Sequence, residues 1–144
     1  MLVSREEDPI SCSLAHQMPL KFLDHVNVRT SRLDEARAFY RDVLGMREGD
    51  RPPFSFGGAW MYLADRPVVH LVQVAQPPSY QGELSLEHFA FAAEGLAEFL
   101  RKLDAAKVPY RMGQPPGARV KQVNVNDPEG NHIHLDFPAD ESSG

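Results

Sequence analysis

The amino-acid pattern predicts an α+β fold: two βαβββ modules forming a cupped mixed sheet with the helices on its outer face. Three observations lead there. Short segments alternate apolar and polar residues with the period of a strand. Two longer segments, 33–44 and 96–106, repeat apolar residues at helical spacing. The same order of elements then recurs on both sides of a Pro- and Gly-bearing linker at residues 76–82.

The elements follow in order. Residues 1–18 are polar and without period, which predicts a disordered tail before a single domain at 19–139. In residues 21–28, Phe22, Val26 and Val28 share one parity, and Leu23, His25 and Asn27 share the other. Ser31-Arg-Leu-Asp reads as a capping box opening the first helix, and Gly45 ends it. Residues 59–63 and 68–74 read as a hairpin around Ala64-Asp-Arg-Pro, closing a first module at about 19–75. The second module, at 83–138, reads as a strand (83–91), a helix (96–106), and strands at 108–112, 119–126 and 132–137. Asp127-Pro-Glu-Gly-Asn is the turn between the last two strands, and 140–144 a polar tail.

Composition narrows the function. At 144 residues, 42% hydrophobic and 24% charged, the chain has an ordinary globular balance. Each half alone would be marginal in stability. Fifteen Lys and Arg against twenty Asp and Glu give a net charge of −5, which argues against a nucleic-acid partner. No apolar run is long enough to span a membrane. Cys12 is the only cysteine, so neither an intramolecular disulfide nor a Cys-based zinc cluster can form. The acidic start does not read as a signal peptide, and a cytoplasmic protein is expected.

The six histidines carry the remaining information. His25 and His88 lie in the first strand of each half, 63 residues apart; His70 and His134 lie in the last strand of each half, 64 apart. A lone strand histidine is usually a satisfied polar or surface residue. Four at repeat-equivalent positions point instead to a common metal site, because imidazole is a frequent metal ligand and a site needs three or four converging groups. Parity supports convergence: Ile133, Leu135 and Phe137 form one face of the last strand, and His132, His134 and Asp136 the other. His70 shares its parity with Val68 and Val72, so its facing stays open. His132 and Asp136 either orient the ligand from behind or are solvated at a sheet edge. Asp24 and Glu87 read as caps on exposed edges. Phe54 and Tyr62 are candidates for an aromatic wall against a substrate, whereas Trp60 and Phe56 are expected in the core. Arg119 is a candidate for holding a carboxylate, and Gln122, of opposite parity to Lys121, either faces the pocket or is solvated at a sheet edge. His16 lies in the tail.

Leu23-Asp-His-Val, Ala38-Phe-Tyr-Arg-Asp-Val-Leu-Gly, Leu86-Glu-His-Phe-Ala-Phe and Asp127-Pro-Glu-Gly-Asn together resemble the vicinal oxygen chelate superfamily over residues 20–138. That superfamily includes glyoxalase I, extradiol dioxygenases and bleomycin-binding proteins. The resemblance implies a metal in a cup made by two modules, with ligands at His25, His70, His88 and His134. Glyoxalase-type members usually carry Glu at the last-strand positions, whereas this chain has His70 and His134. It also implies a small-molecule substrate and a homodimer.

Neutral imidazoles leave the charge of a divalent ion uncompensated, which favours a bound enolate, catecholate or carboxylate. The metal, whether Fe, Zn, Ni, Co or Mn, is not decided by imidazole ligation. The expected function is a metal-dependent enzyme, with a dioxygenase preferred over a glyoxalase-type lyase or isomerase. In the latter, His70 or His134 would act as base. The alternative is a metal-free drug- or metabolite-binding protein of the bleomycin-resistance type.

Overall fold

A computed structural model describes residues 20–144. The tail expected at residues 1–18, with Cys12 and His16, lies outside the described residues. The first module runs β1 (Val26–Thr30), α1 (Leu33–Ala38) continuing into a π-helical turn (Phe39–Val43), β2 (Arg47–Gly49), β3 (Gly58–Leu63) and β4 (Arg66–Gln73). The second runs β5 (Phe89–Ala92), α2 (Leu96–Ala105), β6 (Arg111–Gly113), β7 (Val120–Asn126) and β8 (His132–Pro138).

The strands form two four-stranded mixed sheets, ordered β1-β4-β3-β2 and β5-β8-β7-β6. The two modules therefore share one topology, as the repeat predicts. In each, the first and last strands are parallel neighbours and the other pairs are antiparallel. Asn27 pairs with His70 and Ala90 with His134, so each first-strand histidine stands two residues ahead of the partner of the last-strand histidine.

Burial separates the faces. Val28, Ala59, Met61, Val69 and Leu71 bury the inner side of one sheet; Val123, Val125, Ile133, Leu135 and Phe137 bury that of the other. Ala36, Phe39, Tyr40 and Val43 from the first helical segment, and Leu96, Leu100 and Leu103 from α2, complete a single core cluster. Because Val69 and Leu71 take the core side of β4, His70 points to the other face. The wider π turn places Phe39, Tyr40 and Val43 all in the core. Gly45, at φ +76°, ends the segment in a conformation that favours glycine.

Several local expectations differ. β1 starts at Val26 and β5 at Phe89, so residues 21–25 and 83–88 are not strands. Phe22 is 60% exposed, with the Arg66 guanidinium over its ring, rather than part of an apolar strand face. β2, unassigned from the sequence, is three residues held by pairing with Tyr62, Met61 and Trp60, a tertiary contact that local pattern does not encode. The Ser31–Asp34 capping box does not form. Arg32 is the N-cap without a side-chain cap, and Asp34 pairs with Arg37. Glu129, from the β7–β8 turn, takes over. Its Oε1 accepts from Ser31 N (2.8 Å), Thr30 Oγ1 (2.9 Å) and Ser31 Oγ (3.0 Å), placing a carboxylate near the positive end of α1. Glu141 similarly accepts from Gly95 N and Leu96 N at the start of α2.

The turn that carries Glu129 also holds the modules together. Asp127 accepts from Glu129 N, Asn131 N and Asn131 Nδ2, and from the buried Tyr40 hydroxyl at 2.8 Å. The Asp127-Pro-Glu-Gly-Asn motif thus closes its own turn and grips the helical segment of the other module.

Candidate metal centre

Parallel pairing of first and last strands brings the histidines together two by two. In the first module His25 stacks on His70 with ring centroids 3.9 Å apart; in the second His88 stacks on His134, also at 3.9 Å. The doubled spacing in the sequence becomes a doubled geometry. His132 joins the second pair edge-on, 4.7 Å from His134 and 5.4 Å from His88. Donor atoms of His88, His132 and His134 lie within 4.8 Å of one another, the one such group of three or more among the described residues. His25 and His70 form a separate pair on the other sheet.

Hydrogen bonds determine which ring nitrogens are free. Asp24 Oδ2 lies 2.6 Å from His25 Nδ1, and Glu87 Oε2 meets His88 Nδ1. A carboxylate on Nδ1 keeps that nitrogen protonated and leaves Nε2 as a lone-pair donor, the usual arrangement behind a ligating histidine. His70 is reversed: its Nε2 donates to the Pro67 carbonyl at 3.0 Å, leaving Nδ1 free. His132 is more committed, with Nδ1 2.6 Å from Glu87 Oε1 and Nε2 2.9 Å from Asn124 Oδ1. The Asn124 amide nitrogen is itself spent on the Arg111 carbonyl, which leaves Oδ1 to accept from His132. His132 must therefore release one of these partners before it can bind a metal.

Electrostatics agree. Burial first, then His25, pushes the His70 imidazole below its ordinary value; burial first, then His88 and His132, does the same to His134. Both are held neutral, as ligands must be. The hydrogen bond from His25 is the largest influence holding the Asp24 carboxyl below the usual range, and that from His88, followed by His132, does so for Glu87. His70 and His134, held neutral, beside His25 and His88, oriented by carboxylates, suit a divalent metal.

Asp24 and Glu87, expected as edge caps, are therefore the carboxylates that orient His25 and His88. The acid preceding each first-strand histidine, repeated in both modules, was a sequence signal for this role. Trp60 and Phe56 are not core residues. Trp60 stacks on the outer face of His70 at 4.0 Å, extending the His25–His70 stack, and Phe56 is 44% exposed and stacked on Phe54. Their strand and loop present the rings to the face opposite the core. Phe54 lies 6.5 Å from Trp60 and under Arg51, so these rings form a continuous aromatic run towards His70. The Tyr62 hydroxyl donates to the Asp50 carbonyl at 2.6 Å. Gln122 pairs with Asp136 across β7 and β8, two rungs from the Asn124–His134 pair. Arg119 is exposed just before β7, and Asp136 is half-buried.

Two like modules, each presenting a stacked histidine pair on a sheet face, define a duplicated protein with two potential metal-binding half-sites. The chain belongs to the glyoxalase/bleomycin resistance protein/dioxygenase superfamily, whose family model matches residues 22–135. It is 28% identical over 123 residues to Glyoxylase I 4 of Arabidopsis thaliana, covering 81% of this chain and 70% of that protein. It is 32% identical over 119 residues to a manganese-dependent 2,3-dihydroxybiphenyl 1,2-dioxygenase of Geobacillus genomosp. 3, covering 76% of this chain but only 37% of that protein. Among solved structures, the glyoxylase/bleomycin resistance protein/dioxygenase domain from Frankia sp. EAN1pec superposes with a TM-score of 0.68 at 15% identity, covering 85% of this chain and 96% of that one; it shares the fold. Among the described residues, no helix is long and apolar enough to cross a membrane.

Proposed function

We propose that this chain is a metal-dependent enzyme of the glyoxalase/dioxygenase type. It acts on a small enolate-, catechol- or carboxylate-like substrate chelated by a divalent metal. The observation that carries the reading is the repeated carboxylate–histidine pair, Asp24–His25 and Glu87–His88, each stacked on a last-strand histidine with a free nitrogen. Sequestration of a ligand needs no such construction. His25, His70, His88 and His134 are the proposed ligands, and Glu87 and Asp24 orient two of them. A bound divalent ion would supply Lewis acidity to adjacent substrate oxygens. In the glyoxalase-type variant of the reaction, His70 or His134, both kept neutral, would leave the metal and accept the proton. Dioxygenase chemistry is preferred, since a ligand set of imidazoles without a carboxylate leaves the ion's charge to an anionic diolate.

A homodimer belongs to the same proposal. The segments leading into His25 and His88 expose Leu20, Leu23, Leu84 and Leu86, which a second copy would cover while bringing one chain's first pair to the other's second pair. The aromatic run Phe54, Phe56 and Trp60 favours a second reading, a binding protein for a planar drug or metabolite.

Elemental analysis of protein purified without added metal separates the readings. Bound metal together with oxygen uptake on catechols supports the dioxygenase, and hemithioacetal turnover supports the glyoxalase type. Absence of metal, and of affinity on titration, overturns both in favour of the binding protein.

A further inference from the structure

His132 has the surroundings of a metal ligand and one neighbour that withholds it. Its ring lies edge-on to both His88 and His134, and donor atoms of the three lie within 4.8 Å of one another. Glu87 Oε1 stands 2.6 Å from its Nδ1, and the same carboxylate holds His88 Nδ1 through Oε2. A carboxylate on one ring nitrogen aims the other at a metal. In His88 that other nitrogen, Nε2, is left free. In His132 it is closed by Asn124 Oδ1 at 2.9 Å. An oxygen at hydrogen-bond distance occupies the direction that a metal ion would take. Asn124 stands opposite His134 in the β7–β8 ladder, and His132 is its diagonal neighbour on the same face. Its Nδ2 donates to the Arg111 carbonyl of β6 at 3.2 Å, which turns the amide so that oxygen faces the imidazole. Val123 and Val125, on either side of it in β7, are buried in the core and anchor the backbone beneath it.

We propose that Asn124 is a positioning residue that withholds His132 from the metal, and that His88, His132 and His134 form a latent three-histidine site for a divalent ion, closed by this one hydrogen bond. Counting coordination positions gives the bond a purpose. An octahedral ion has six. His25, His70, His88 and His134 take four and leave two, the number that a substrate binding through two adjacent oxygens needs. A fifth imidazole would leave one. This purpose rests on the metal reading above; the latent triad does not.

The test uses the full chain carrying His25→Ala and His70→Ala, which removes the first-module pair and leaves the second module to hold any zinc. Zinc affinity is measured by chelator competition while the histidine ring nitrogens are followed by NMR. With Asn124 in place, little zinc should bind and the His132 Nε2 resonance should stay where it is. Asn124→Leu, close in volume but without an acceptor, should tighten zinc binding at least about tenfold and carry His132 Nε2 to a metal-bound position. Adding His132→Ala should return the affinity to its starting value, which a merely structural effect of the leucine would not do. Asn124→Ala, read in the same way, keeps the test open if leucine disturbs β7. In the unaltered protein, zinc should carry ring nitrogens of His88 and His134, but not of His132, to metal-bound positions. No gain in either Asn124 variant, a gain that survives His132→Ala, or a metal-bound His132 in the unaltered protein would overturn the proposal. Failure of the unaltered protein to bind zinc counts against the metal reading alone; a His132-dependent gain on losing Asn124 would still establish the latent site.

Discussion

Tyr40→Phe isolates the link between the two modules. Tyr40 is fully buried on the π-helical turn, and its hydroxyl donates at 2.8 Å to Asp127 in the β7–β8 turn, 87 residues away. Burial, then the neighbouring Asp127 charge, pushes the phenol well above its ordinary value, so it stays protonated and donating. Phenylalanine keeps the ring, opens no cavity and removes only this bond. A hydrogen bond to a charged group contributes about 1.5–3 kcal/mol. Asp127 retains three other donors, so the lower part of that range applies, about 1.5–2 kcal/mol. For a chain of this size that is a fall in Tm of about 5–8 °C. Urea unfolding followed by far-ultraviolet circular dichroism measures it. A loss below about 0.5 kcal/mol would show that the bond adds nothing beyond what water supplies, and would refute the turn as an energetic link.

Three further outcomes are expected. Glu87→Ala frees Nδ1 of both His88 and His132 and should weaken divalent-metal affinity by about 10–100-fold, measured by chelator competition; unchanged affinity would remove Glu87 from the site. His25→Ala and His88→Ala should each abolish metal binding while leaving the circular dichroism spectrum intact, and full metal occupancy in both would refute the ligand set. Burial raises the Glu129 carboxyl, but the donors Thr30 and Ser31 outweigh it, leaving it below its ordinary 4.5. A depressed carboxyl stabilises the fold above the unfolded value, and this contribution is lost as pH falls below 4.5 through the folded value. Glu129→Gln should flatten that acid limb of the stability profile; an unchanged limb would assign it to other carboxylates.

Much of the fold was legible because its signals are local. Alternation marked β3, β4, β7 and β8, helical spacing marked both helices, and the repeat in order implied the duplicated topology. β2 was not legible, since three residues with no apolar pattern become a strand only by pairing with β3. Nor was the cap of α1, whose carboxylate comes from Glu129, nearly 100 residues away.

At the site, sequence by itself determined the chemistry on offer. Imidazoles sit at repeat-equivalent positions, and no cysteine accompanies them in either module. Strand spacing and parity suffice for this because side-chain facing follows a period of two along a strand. Tertiary structure decided which histidines meet. Parallel pairing of β1 with β4 and of β5 with β8 stacks His25 on His70 and His88 on His134, and leaves the two pairs on separate sheets. It also turned Asp24 and Glu87 from edge residues into the groups that hold Nδ1, and moved Trp60 from the expected core onto the face of His70. Hydrogen-bond direction and ring stacking depend on atoms from distant strands, so no single segment of the chain could encode them.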